Sequence, residues 1–239
     1  MQLTGKKNNK IKLIWDSVLD YIFPKLCFGC QNEGEFLCSA CFDQIKLNEQ
    51  TVCYLCNSDD WSDGVCPACH ESSKIDKIIV ASQYNQNLLG YLIEQLKFNY
   101  ISDLSSVLAS SLHRYINVNN KTLLGDCIVP VPLYKKRQLE RGFNQSEVIA
   151  RDLSVLLDIS VKNDLVERTK NTAQQARLQR EERFLNMNNA FVFNRTQPVP
   201  EQVILFDDVL TTGATFLEIT KLLKQHGVKQ VTCLALCHG

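Results

Sequence analysis

Residues 203 to 216 read VILFDDVLTTGATF: four apolar residues, two carboxylates, two more apolar residues, then a run of Thr, Thr, Gly, Ala and Thr. A buried strand that delivers Asp207 and Asp208 at its carboxyl end puts two acids where open parallel sheets bind ligands. The pattern predicts a helix starting about Gly213 or Ala214. Its unpaired N–H groups and positive dipole end suit an anion, and Thr211, Thr212 and Thr215 add hydroxyl donors. Carboxylates repel an anion, so the acids must face hydrogen-bond donors or positive charge, as a ribose diol or a divalent metal ion would supply. No Gly-Lys-Ser/Thr ending follows, which excludes a Walker loop. Asp, Thr and Gly also cap ordinary helices. Helix capping alone does not call for the apolar run, both acids and the hydroxyl series together.

A second stretch, this one basic, VPVPLYKKRQLERGFNQ, places Val131 and Pro132 at a strand end and Lys135, Lys136, Arg137 and Arg141 before the next helix. Those cations can converge on a further anionic group. A third, RTKNTAQQARLQREERFLN, carries Arg168, Lys170, Arg177, Arg180 and Arg183. It lies within Val166 to Asn189, which lacks an apolar stripe and reads as a mobile loop, of a length that signals function in a compact domain.

Eleven cysteines are present, eight of them in Cys-x-x-Cys pairs: Cys27 with Cys30, Cys38 with Cys41, Cys53 with Cys56, and Cys66 with Cys69. Each pair forms a knuckle that aims two thiolates at one ion, and two knuckles complete a tetrahedral zinc site. Eight thiolates therefore make two closed Zn²⁺ sites, structural because no coordination position stays open. The spacing favours sequential sites, with a cross-braced pairing as the alternative; an iron–sulfur cluster or thiol redox centre fits the repeated knuckles less well. His70 reads as a bystander, and Cys127, Cys233 and Cys237 as small core residues. The segment is acidic, since Glu33, Glu35, Asp43, Glu49, Asp59, Asp60, Asp63 and Glu71 outnumber Lys25, Lys46 and Lys74. It would repel phosphates at long range, which points to protein docking or scaffolding.

The elements that must position these groups follow from periodicity. Apolar residues from Ile11 to Ile22 at three- and four-residue steps predict an amphipathic helix behind a lysine-rich arm. KIIVASQY, CIVPVPL, AFVF, VILF and QVTCLALC read as strands. Leu88 to Leu96, Leu104 to Tyr115, the GFNQSEVIARDLSVLL stretch and Phe216 to Leu223 read as helices, the last stopped by Gly227. Alternating continuous apolar strands and helices predict an α/β fold, a parallel sheet covered on both faces. The expected organisation is a basic arm and helix over 1–22, a double zinc ribbon over 23–75, and an α/β domain over 76–239.

The formal net charge of zero excludes a chain that is a polyelectrolyte overall, so binding to nucleic acid or anionic lipid would need a local patch. No apolar run approaches the roughly 20 residues that span a bilayer. The amino terminus lacks the uninterrupted apolar stretch and small-residue cleavage site of a signal peptide, and a cytoplasmic protein is expected.

The acid and threonine stretch is similar to the phosphoribosyl pyrophosphate (PRPP) loop of type I phosphoribosyltransferases. By that resemblance Asp207 and Asp208 hold the ribose hydroxyls, and Thr211, Thr212, Gly213, Ala214 and Thr215 wrap the 5′-phosphate. The basic stretches then serve the diphosphate. The order of cysteine knuckles, QLKFN, VPVPL, RGFNQ, an Arg/Gln loop and DDVLTTGAT resembles the ComF family, known as ComFC in naturally transformable bacteria. The resemblance implies a type I phosphoribosyltransferase-like sheet beside a zinc ribbon, with PRPP and Mg²⁺ as ligands. It also implies a role in natural competence, bringing single-stranded DNA across the inner membrane and towards recombination. The implied partners are single-stranded DNA, an uptake helicase and a recombination-loading protein, which would bring the protein to the inner face of the membrane. A metabolic salvage or amide-transfer phosphoribosyltransferase, and a non-catalytic PRPP sensor that holds single-stranded DNA, are the other readings.

Overall fold

The computed structural model describes residues 24–85, 88–171 and 189–239. The predicted helix over 11–22, its lysine-rich lead-in, and Arg177, Arg180 and Arg183 lie outside the described residues. The chain divides into two compact units, Met1–Ile45 and Lys46–Gly239. The two sets of four cysteines fall one in each.

In the first unit, Leu26 and Glu33 form an isolated antiparallel bridge around the Cys27 knuckle, and a short helix α1 (Ser39–Asp43) carries Cys41. Phe28 and Phe36 stack with ring centroids 5.8 Å apart, and the Lys25 ammonium lies 5.2 Å over the Phe36 ring.

The second unit begins with the other knuckles and helix α2 (Pro67–Ser73), which Pro67 opens at a position where its missing N–H costs nothing. Strand β1 (Lys77–Gln83), helices α3 (Leu88–Asn99) and α4 (Leu104–Val118), and strand β2 (Cys127–Pro130) follow. Next come α5 (Lys135–Arg141), α6 (Gln145–Leu157), β3 (Val166–Arg168), β4 (Phe191–Phe193), β5 (Gln202–Leu210), α7 (Ala214–Gln225) and β6 (Gln230–His238). The main sheet has the order β1-β6-β5-β2 and is parallel throughout. Parallel neighbours cannot be joined by tight turns, so helices cross over and cover the faces.

Alternate residues of the strands point to opposite faces. Ile78, Val80, Val129, Val203, Leu205, Val231 and Cys233 share one core with Phe216, Ile219 and Leu223 of α7, with Phe191 and Phe193 of β4, and with Tyr54, Leu55 and Val65 of the second cysteine region. Helix α4 packs on both α3 and α6, and all three pack on the strands. The fold is thus of the expected α/β class, a parallel sheet flanked by helices. Cys127, Cys233 and Cys237 are buried in it. Asp76 links sheet and helix, its Oδ2 accepting from Lys224 Nζ at 2.8 Å and Val231 N at 2.7 Å.

Three local expectations need correction. KKRQLER forms helix α5 although it has no apolar stripe. Leu139 stands exposed, and Gly142 at φ +81° ends the turn where a side chain would be strained. Val166–Arg168, read as the start of a loop, is strand β3. It pairs antiparallel with β4, so AFVF belongs to a separate two-stranded sheet rather than to the parallel one. Strand β5, read as VILF, runs on to Leu210, so that Asp207 and Asp208 are part of its carboxyl-terminal end.

Candidate functional site

Strand β5 has neighbours of unequal length. Its pairing with β2 stops at Pro130 opposite Phe206, with Val131 N donating to Phe206 O at 2.8 Å; its pairing with β6 continues to Leu210 opposite His238. The next rung towards β2 would join Asp208 N to Val131 O. Instead Asp208 N donates to Asp207 Oδ1 at 3.0 Å and Val131 O accepts from Asn144 Nδ2 at 3.0 Å. Pro132, with no N–H, follows at once. The two acids therefore sit in a notch at the carboxyl end of the sheet.

The notch opens into a cleft of about 790 Å³ lined by Asp207, Asp208, Thr211, Thr215, Val131, Arg137, Arg168 and Lys97, among others. Asp208 is buried and ion-paired to Lys97 Nζ, and its Oδ1 accepts from Gln145 Nε2 at 3.0 Å. Burial opposes its charge, but the Lys97 ammonium outweighs burial and holds the Asp208 carboxyl below the usual range. Asp207 accepts from Ser146 Oγ at 2.9 Å. Burial first, and the neighbouring Asp208 charge second, push Asp207 up to about 7. One acid is thus a fixed anion and the other is poised to gain or lose a proton near neutrality.

The loop after β5 closes one end of this arrangement. Thr211, Thr212, Gly213, Ala214 and Thr215 line a small concavity at the amino end of α7, which is three turns long and starts at Ala214 as expected. Gly213 caps it at φ +77°, a backbone that glycine adopts at no cost, and Thr212 Oγ1 accepts from Ala214 N at 3.4 Å. The free amides of such a terminus are an anion site.

The other predicted residues divide. Arg137 and Arg168 line the cleft, and Arg168 also lines an adjoining cavity of about 710 Å³ together with Pro132, Lys135, Glu167 and Phe193. Arg141 is buried and donates from Nη1 to Gln145 Oε1 at 2.6 Å, so it braces the residue that holds Asp208. Lys170 is exposed beyond β3.

Lys97, Gln145 and Ser146 were not singled out as site residues from the sequence, although they hold the acids. For Lys97 a signal exists. It stands four and eight residues after the buried Ile93 and Leu89, in the apolar register of α3, where a lysine needs a partner. For Gln145 and Ser146 the signal is weaker. They are the first residues of α6 after Asn144, whose Oδ1 accepts from Ser146 N at 3.2 Å, and they are buried at a helix start where polar residues are usually exposed.

The cysteines form two sequential clusters, Cys27, Cys30, Cys38, Cys41 and Cys53, Cys56, Cys66, Cys69, with all four sulfurs of each within 4.8 Å of one another. Sulfur separations of 3.6 Å for Cys27 to Cys38 and 3.7 Å for both Cys30 to Cys38 and Cys56 to Cys66 far exceed a disulfide bond. They match the edge of about 3.8 Å expected for a tetrahedron with Zn–S bonds of about 2.3 Å. The donors therefore fit zinc, which would cross-link each pair of knuckles and leave no position for a substrate. Among the described residues His70 pairs with Asp76 at 3.4 Å and belongs to neither cluster.

No family model matches the chain. Competence protein F of Haemophilus influenzae is 35% identical over 210 residues, which is 85% of this chain and 90% of that protein. DNA utilization protein YhgH of Escherichia coli K12 is 32% identical, covering 90% of this chain and 97% of its own. Competence protein ComFC of Streptococcus pneumoniae is 28% identical, covering 86% and 89%. A solved hypoxanthine phosphoribosyltransferase from Staphylococcus aureus aligns over 57% of this chain and 64% of its own at 16% identity. Its TM-score of 0.35 is too low to carry an argument.

Proposed function

This chain belongs to the competence protein F (ComF) family, and from that premise we propose that it binds PRPP with Mg²⁺ in the notch of its sheet and serves the handling of incoming single-stranded DNA in natural competence. The observation that carries the ligand is the juxtaposition of Asp207 and Asp208 with the Thr211–Thr215 loop on one cleft. The acids accept from a ribose diol, and the loop amides and hydroxyls of Thr211, Thr212 and Thr215 hold a 5′-phosphate. Arg137 and Arg168 supply positive charge for the diphosphate. Lys135 and Arg141 act from the side, the first from the adjoining cavity and the second through Gln145. Mg²⁺, when bound, would neutralise the diphosphate.

The competence role rests on relatives named for competence and for DNA utilization. The protein would work on the cytoplasmic side of the inner membrane, docked through its cysteine-rich acidic segment to an uptake helicase and a recombination-loading protein. No helix among the described residues is long and apolar enough to cross a membrane.

A thermal-shift titration with PRPP and Mg²⁺ tests the ligand. The parent is expected to be stabilised as the ligand saturates, by mass action on the folded state. Asp207→Ala and Asp208→Ala should lose that response; an unresponsive parent, or acid variants that respond like it, would refute the reading.

One observation favours a second reading, transfer to an acceptor as in salvage or amide-transfer enzymes. The 710 Å³ cavity adjoins the cleft through Leu133 and Arg168 and has the size of a small-molecule pocket. Pyrophosphate release on adding a particular base, absent from the Asp207 variant, would establish it.

A further inference from the structure

We propose that the second cysteine cluster supports the phosphate loop: Leu55, held between the ligands Cys53 and Cys56, packs on Gly213 and fixes the turn before α7, so that zinc retention and ligand binding strengthen each other. The inference deepens the PRPP reading and rests on it.

The contact is close. A Cβ built on Gly213 would lie 2.7 Å from Leu55 Cδ2, nearer than real Cβ contacts come, and Leu55 is itself buried. Gly213 therefore has two reasons to lack a side chain, its φ of +77° and the leucine seated against it. Gly213 leads directly into the first turn of α7, whose amides would meet the phosphate.

The knuckle cannot move independently of the sheet. Cys53 N donates to Ser58 O at 2.8 Å and Asn57 N to Cys53 O at 2.7 Å, which closes the turn around the sulfurs. Tyr54, the residue before Leu55, meets the His238 ring edge-on at 5.3 Å at the end of β6, and its hydroxyl accepts from Asn48 Nδ2. Asn48 N in turn donates to Ala81 O of β1 at 2.7 Å, and Ile78 N to Asp63 O at 2.8 Å. Helix α2, which carries Cys69, packs on α7. Zinc would lock this assembly, because knuckle turns rich in polar residues depend on the metal for their geometry. If the metal fixes the loop conformation that binds best, linkage requires the ligand to favour the metal-loaded state by the same factor.

The test uses the full zinc-loaded chain. PRPP affinity with Mg²⁺ is measured calorimetrically for the parent, Leu55→Ala and the volume-conserving Leu55→Met. Zinc release to a chromophoric chelator is followed with and without PRPP. Leu55→Ala is expected to bind about tenfold more weakly, within the usual span of coupling between sites, and Leu55→Met close to the parent. In the parent, PRPP should slow release of one zinc equivalent, that of the second cluster, while the other is released unchanged. Parent-like affinity in Leu55→Ala, or equal slowing of both equivalents, overturns the proposal. The release measurement needs no variant and decides the matter if Leu55→Ala fails to fold. A parent that does not bind PRPP overturns both readings, whereas a parent that binds while Leu55→Ala is unaffected overturns only this one.

Discussion

Two cysteine clusters of nearly the same spacing and sulfur geometry occupy different surroundings. The first organises a small unit in which Leu37 and Ile45 are the described apolar side chains buried besides its cysteines, alongside the Phe28 and Phe36 stack. The second adds Tyr54, Leu55 and Val65 to the core that also holds the sheet and α7. The same knuckle can thus stand in for a core that the chain is too short to build, or be fixed to one that already exists. Mutation effects should differ accordingly, and that difference can be tested from the largest effect downwards.

Replacing Cys53 with Ser should cost on the order of 5 kcal/mol of sheet stability, since the metal's contribution feeds a shared core. Cys27→Ser should change the unfolding of the sheet by less than about 1 kcal/mol. Urea unfolding followed by circular dichroism distinguishes the two, and equal losses would erase the proposed contrast.

Cations sharpen the comparison. Lys97→Met strands the buried Asp208 carboxylate and should cost about 3–5 kcal/mol, whereas Asp208→Asn combined with Lys97→Met should recover part of the loss. Lys25→Met removes an ammonium that lies over the Phe36 ring, a contact worth about 0.5–1 kcal/mol, and the smallest of these effects is expected there. Chemical denaturation of the variants measures both, and a Lys25→Met cost as large as that of Lys97→Met would remove the contrast.

Between them lies the response to pH. Asp207 titrates near 7 in the folded chain, above its ordinary value of 3.8, so its protonated form is the one that folding favours. Its contribution to stability is present in full below the unfolded value and is lost as pH rises through about 7. A ligand that donates to the carboxylate favours the opposite form. PRPP affinity should therefore rise by up to about tenfold per pH unit until about pH 7 and then level off. Calorimetry across this range should show a steeper slope in the parent than in Asp207→Asn, which keeps only the part due to the ligand's own phosphate titration.

The legible parts of the site were contiguous in the chain. Strand β5, its acids, the threonine loop and the start of α7 follow one another within fourteen residues of the sequence, so apolar runs and helix-start residues located them. The clamp on the acids was hidden because it is assembled by folding: Ser146 and Gln145 lie 61 and 63 residues from the acids they hold. Helix α5 is not legible for another reason, since periodicity marks helices that bury a stripe and this one exposes Leu139. Strand β3 is three residues long and its partner β4 lies beyond a long intervening segment, which leaves no local pattern to read.

The diverted rung beside Asp208 has a consequence for strand growth. A parallel pair tends to zip as far as both backbones allow, and β2 and β5 would by zipping on seal the space between them. Asn144 and the carboxylate of Asp207 act as chain stoppers, occupying the carbonyl and the amide that would propagate the ladder. Asp207 therefore has a task besides facing a ligand. It keeps the sheet from healing over its own entrance, and an asparagine there would guard that opening only while its side-chain oxygen faces the Asp208 amide.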